Sequence, residues 1–342
     1  MPLLKGIGFR YTLVMDWKHP GVRKVLHDII PIVLGVAVNQ IYFAVNRIFA
    51  SGLAEGTISN LNYANKVMML PVGIFAAAVV AVIYPSLSEH AIKRDGASFA
   101  NGLKKGLGLV SLIAWPATFA LILLRVPVIQ LLFERGAFDH QATLATANAL
   151  LYFCIGLWPM AVNMVLTRAF YAYGDVKTPL YMGFLSIIVN VILCLALYRL
   201  LPFGGAGLAF ANSVAAVSNM LLLYWALRKH LPQLPTKALL TSNARILLAT
   251  LLMSVGVALV WSILAGLKIA LLVKMVVIVC VGVALYVVCL LYTSVETFAT
   301  PVTFSLDYDF TPKGTMLTAD DVAFYWIDEE TARSTGNYER CV

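Results

Sequence analysis

Carboxylates are what this chain is shortest of. The first 294 residues hold 8 Asp/Glu against 22 Lys/Arg, a net +14, while the last 48 hold 9 against 3, a net −6. Apart from Asp28, near the mouth of the first apolar run, no acid falls within a stretch that could cross a bilayer. This weighs against an antiporter that binds protons or sodium on an intramembrane carboxylate. It also removes the acid–base and metal-ligating pairs that a membrane enzyme acting on polyprenyl phosphates needs. His19, His27, His90, His140 and His230 lie at loops or span ends without paired carboxylates, so no enzyme, metal or cofactor is expected. Cysteine is equally sparse. Cys154, Cys194, Cys280, Cys289 and Cys341 show no paired spacing, and four of them sit in apolar runs, where cysteine behaves as a small hydrophobe. Period-2 alternation is missing from every long apolar run, which excludes a β-barrel.

What the chain has in abundance is apolar surface. Hydrophobic residues make up 61% and charged residues only 12%, half the share of an ordinary soluble domain. Mean hydropathy is +0.85. The fold class is therefore all-α, a polytopic membrane protein of about eight transmembrane helices. The expected spans are 25–50, 58–85, 103–133, 142–172, 180–201, 206–227, 246–267 and 269–291. The third and fourth are long enough to be tilted or broken, with Pro116, Pro127 and Pro159 as kink points. Basic residues gather on alternate loops: residues 5–24, then 93–105, Lys177, and 228–245. By the positive-inside rule these face the cytoplasm, and their charge reads as orientation and headgroup contact, with no nucleic acid as partner.

Four parts follow: a basic, loop-like linker at 1–24, a six-helix lobe at 25–230, a nearly uniformly apolar helix pair at 231–294, and an acidic tail at 295–342. The tail is aromatic and alternating, unlike anything before it. Residues 289–294, CLLYTS, also match one reading frame of a common transposase sequencing adapter, so the tail is read as joined at an assembly junction.

The stretch 59–85 organises the lobe. Asn62, Asn65, Lys66 and Met69 follow the i, i+3, i+4, i+7 spacing of one helix face. Even on lenient scales a central lysine costs ~2.5–3.5 kcal/mol in a membrane helix, so it belongs in a bundle interior or a wet cavity. Two readings stand: Lys66 lines a cavity that receives an anion, or it snorkels to the headgroups about two turns away. The first span offers Asn39, Tyr42, Asn46 and Arg47 on a similar face. Arg47 lies near the outer end, where snorkelling is the simpler reading, and Asn39 lies deeper and must find a partner. Asn212 and Asn219 share a face of the sixth span, where interhelical hydrogen bonding accounts for them. The loop RAFYAYGDVKTP at 168–179 contains Arg168, Asp175 and Lys177, with Gly174 as breaker and Thr178 as cap before Pro179.

Six segments in order, HPGVRKVLHDIIPIVLG (19–35), FASGLAEGTISNLNYANKVMMLPVGIF (49–75), YPSLSEHA (84–91), LLFERGAFD (131–139), RAFYAYGDVKTP (168–179) and GGAGLAFANS (204–213), carry a resemblance. Over residues 15–290 the chain resembles the lipid II flippase family (MurJ/MviN) of the multidrug/oligosaccharidyl-lipid/polysaccharide exporter superfamily. That resemblance implies two six-helix lobes around a central cavity, followed by two helices forming a lipid-tail groove. The eight spans here would be the second lobe and the groove pair, so the resemblance implies a partial chain whose partner is the missing N-terminal lobe. It implies outward movement of an undecaprenyl-diphosphate-linked cargo across the bacterial inner membrane by alternating access. Lys66, Asn62, Asn65, Asn39, Asn46 and Arg47 become the candidate cargo-binding set, and Arg168, Asp175 and Lys177 the candidate cytoplasmic gate. The family usually has an arginine where Lys66 stands, an aspartate before it and a glutamate three residues on; here these are Lys66, Asn65 and Met69. Charge is kept but the bidentate fork and both acids are lost. A polysaccharide or O-antigen flippase of the same superfamily, or a non-transporting fragment, are the alternatives.

Overall fold

In the computed structural model the described residues are 44–200, 204–231, 236–266 and 269–292, single positions at 23, 33 and 40, and two strands near the C-terminus. Most of the first expected span, and Asn39 with it, lies outside them; residues 44–50 are helical. The helices that follow are α1 (Thr57–Pro71), α2 (Ala77–Ile92), α3 (Gly96–Leu123), α4 (Arg125–Phe133), α5 (His140–Ile155), α6 (Leu157–Ala172), α7 (Lys177–Leu200), α8 (Gly204–His230), α9 (Thr236–Ala265) and α10 (Leu271–Tyr292). Backbone contacts divide the chain into two units, Met1–Thr293 and Ser294–Val342. In the second, β1 (Ser305–Asp307) pairs antiparallel with β2 (Ala323–Tyr325), Leu306 opposite Phe324.

Among the described residues six helices are long and apolar enough to cross a membrane, and a bent pair makes a seventh. The interruptions follow backbone chemistry. Pro71 has no N–H to donate, and the helix passes from α1 to α2 through a π-helical turn, Val72–Ala76. The third expected span is divided at Leu124 into α3 and α4, with Pro127 in the first turn of α4, where proline is tolerated. The fourth divides at Gly156 into α5 and α6, bent by 43°, three residues before Pro159.

The scarce acids start helices. Asp95 accepts from the Ser98 N–H at 3.0 Å and Asp139 from the Ala142 N–H at 2.8 Å. Asp175 accepts from the backbone N–H groups of Lys177 and Thr178, both at 3.0 Å. The cap of α7 is thus Asp175 rather than the expected Thr178, because the helix begins at Lys177 and its first free N–H groups lie there. Just before it, Gly174 takes φ +75° and the Asp175 N–H returns to the Phe170 carbonyl, a Schellman ending for α6.

The core runs between α1, α3, α5, α6 and α8, with Met68, Phe99, Leu103, Leu150, Leu166, Phe170 and Leu227 fully buried. Small residues let α8 approach closely: a Cβ placed on Gly156 would lie 2.9 Å from the Ser213 Cα. The faces of α7, α9 and α10 that carry Phe184, Ile188, Leu252, Leu259, Val276 and Val283 remain exposed, as lipid-facing helix surfaces do.

Candidate functional site

The packing of α1 against α5 and α8, with residues 44–50 alongside, leaves a cleft. It is lined by Asn46, Arg47, Ala50, Ile58, Leu61, Asn62, Asn65, Phe153, Leu208 and Asn212, and holds about 480 Å³ of atom-free space out to its open mouth. Four of the six sequence-chosen residues, Asn46, Arg47, Asn62 and Asn65, meet there from two helices. Helical spacing puts Asn62 and Asn65 on one side of α1. The Asn65 Oδ1 is buried and, among the described residues, has no hydrogen-bond donor. Among the described residues no ion pair reaches Arg47 or Lys66.

Lys66 is not part of the cleft lining. It is exposed one turn beyond Asn62, with Nζ 5.9 Å from the centre of the Tyr63 ring. Tyr63 is itself fixed by Phe133 and Phe138, whose ring centres lie at 4.7 and 5.5 Å.

Two further asparagines belong to this region. Asn212, expected to bridge helices, lines the cleft from α8. Asn190, in the middle of α7 and wholly buried, accepts a hydrogen bond from the Asn46 Nδ2 at 3.2 Å, with the buried Cys194 thiol 3.8 Å from the same oxygen. A polar side chain in so apolar a helix is the available signal for Asn190. Elsewhere α1 is tied to α5 by Thr146, whose hydroxyl donates to Asn60 Oδ1 at 3.2 Å.

At the end taken as cytoplasmic, the Arg168 guanidinium lies over the rings of Tyr84 and Tyr171, 5.9 and 5.7 Å from their centres, and is exposed. Asp175 is occupied in capping α7, and Lys177 meets it through its backbone N–H. Partial burial would raise the Asp175 carboxyl, but hydrogen bonds from Thr178 and Lys177 outweigh it and hold the group below the usual aspartate range. The three residues thus share a corner without a direct side-chain contact between Arg168 and Asp175 among the described interactions.

Broken apolar helices around an arginine-bearing cleft define a polytopic helical membrane protein. A family profile described as "Lipid II flippase MurJ" matches residues 1–280, and the chain belongs to that family. The Burkholderia cenocepacia lipid II flippase MurJ is 34% identical over 213 residues, 62% of this chain and 41% of that protein. The Rickettsia prowazekii probable lipid II flippase MurJ is 31% identical over 258 residues, 75% of this chain and 50% of that protein. The chain thus spans half or less of these relatives' length. A solved structure of lipid II flippase MurJ in an inward closed conformation superposes with a TM-score of 0.67 at 24% identity, covering 84% of this chain and 57% of that one. The protein is a multi-pass protein of the bacterial inner membrane.

Proposed function

We propose that this chain supplies the second lobe and the groove helices of a flippase that moves an undecaprenyl-diphosphate-linked peptidoglycan precursor outward across the inner membrane by alternating access. The observation that carries the reading is Arg47 in a cleft between apolar helices with Asn46, Asn62, Asn65 and Asn212 around it. A guanidinium offers a planar fork of donors that matches phosphate oxygens, and the amides add neutral donors and acceptors for the headgroup. Lys66, exposed one turn beyond Asn62 on α1, adds a second positive charge outside the cleft lining. The prenyl chain need not enter the cleft; it can remain in lipid beside α9 and α10. Arg168, with Asp175 and Lys177 below it, is assigned to the cytoplasmic gate. No covalent chemistry is required of any residue.

The exchange of an arginine and two acids for Lys66, Asn65 and Met69 favours a second reading, a related polyprenyl-linked polysaccharide cargo. One experiment addresses both. Cells depleted of their peptidoglycan-precursor flippase are supplied with this lobe joined to a relative's first lobe. Rescue that falls with Arg47→Ala and, to a lesser degree, with Lys66→Ala supports the proposal. Rescue indifferent to both substitutions removes the cation-lined cleft, and no rescue by a chimera that reaches the membrane favours the other cargo.

A further inference from the structure

A proline inside a helix leaves two marks. It lacks the N–H that would bond the carbonyl four residues back, and its ring pushes that carbonyl outward. In α3 the proline is Pro116 and the carbonyl is that of Leu112. In lipid such a carbonyl must be satisfied from within the protein. The Tyr286 hydroxyl, on α10, donates to the Leu112 oxygen at 2.6 Å. Tyr286 is only 9% exposed on a helix whose other faces are largely bare.

A second link lies on the same stretch of α3. Trp115, next to the proline, donates its indole N–H to Asn243 Oδ1 of α9 at 3.4 Å. Its ring stacks on Trp158 of α6 at 4.7 Å between centres, and the Trp158 N–H donates to Ser111 Oγ at 3.0 Å. Both helices of the C-terminal pair are therefore held by polar bonds to residues 112–115, within one turn of the proline.

We infer that Tyr286 is a positioning residue that seats the C-terminal helix pair on the lobe by taking up the backbone carbonyl released by Pro116. The free Leu112 carbonyl and the docking of the pair are then coupled. Any movement of α10 away from α3 leaves that carbonyl bare. This goes beyond the proposed transport activity and does not depend on which cargo is carried.

The distinguishing experiment is a double-mutant cycle on the purified full chain. Tyr286→Phe should lower the thermal midpoint by a few degrees and broaden the distance distribution between spin labels at Lys105→Cys on α3 and Val288→Cys on α10, with native cysteines replaced by alanine. In a Pro116→Ala background the new Ala N–H bonds the Leu112 carbonyl within the helix, so Tyr286→Phe should then cost less than half as much. Asn243→Ala, which breaks the other link, should cost the same in both backgrounds. Additive effects of Tyr286→Phe and Pro116→Ala would overturn the inference. If Pro116→Ala does not fold, an unchanged label distance in Tyr286→Phe alone overturns it equally.

Discussion

The Ser213 hydroxyl donates to the Tyr152 carbonyl at 2.5 Å, at the point where α8 comes closest to the bend between α5 and α6. Gly156 turns its own N–H to Phe153, so the Tyr152 oxygen lacks its usual helical partner and a side chain from another helix supplies one. The same hydroxyl lies 3.3 Å from the Phe153 carbonyl, and Phe153 lines the cleft. The bend and one wall of the site therefore depend on a single serine. Gly156→Ala would force a methyl to 2.9 Å from the Ser213 Cα, where only backbone movement can relieve it. We expect a loss of ~1–3 kcal/mol, the usual cost of overpacking, read as a lowered thermal midpoint in detergent. Ser213→Ala should cost about 1–3 kcal/mol by leaving buried carbonyls unsatisfied.

Asn190 should hold residues 44–50 against α7. Replacing it with alanine removes the acceptor for Asn46 at the base of the cleft, at a cost of about 0.6–2 kcal/mol for an interhelical hydrogen bond in a membrane. The more direct readout is Cys194, whose thiol is wholly buried beside that oxygen. Its labelling by a small maleimide should rise in Asn190→Ala and stay negligible in the parent.

Water should reach Arg47. A cysteine at that position, in a background whose native cysteines are replaced, should react with a membrane-impermeant thiol reagent. A cysteine at Leu259, on the bare face of α9, should not. Equal protection of the two would place Arg47 in a dry interface.

Acidification should loosen the start of α7 through Asp175. Its carboxyl titrates below the ordinary value of 3.8, so its stabilising contribution is fully present above that value and is lost as pH falls through the lower folded value. Asp175→Ala should cost ~0.5–2 kcal/mol at neutral pH, whereas Asp175→Asn keeps the cap and flattens the acid limb. Thermal midpoints between pH 6 and pH 3 for the three forms measure this.

Much of the architecture was legible because a bilayer makes few demands and makes them openly. Apolar runs of the right length and prolines at irregular intervals announce spans and breaks. Helical spacing put Asn62 beside Asn65 and Asn46 beside Arg47, and these four meet in one cleft. The long third and fourth spans did break, at Leu124 and Gly156, each near a proline that had marked it.

Other features could not be read from one strand of text, since they depend on which helix lies opposite. Lys66 shares the helical face of Asn62, yet it is not among the residues lining the cleft and its amine rests near Tyr63. Asn212 looked like a bridge between helices and lines the cleft, while Asn190 of α7 carries the bridge to Asn46. Composition and periodicity determine what must be buried, where chains turn, and which backbone groups a proline sets free. Only packing decides who satisfies those groups, because Tyr286 and Leu112, like Ser213 and Tyr152, are remote in sequence and become partners only when helices meet.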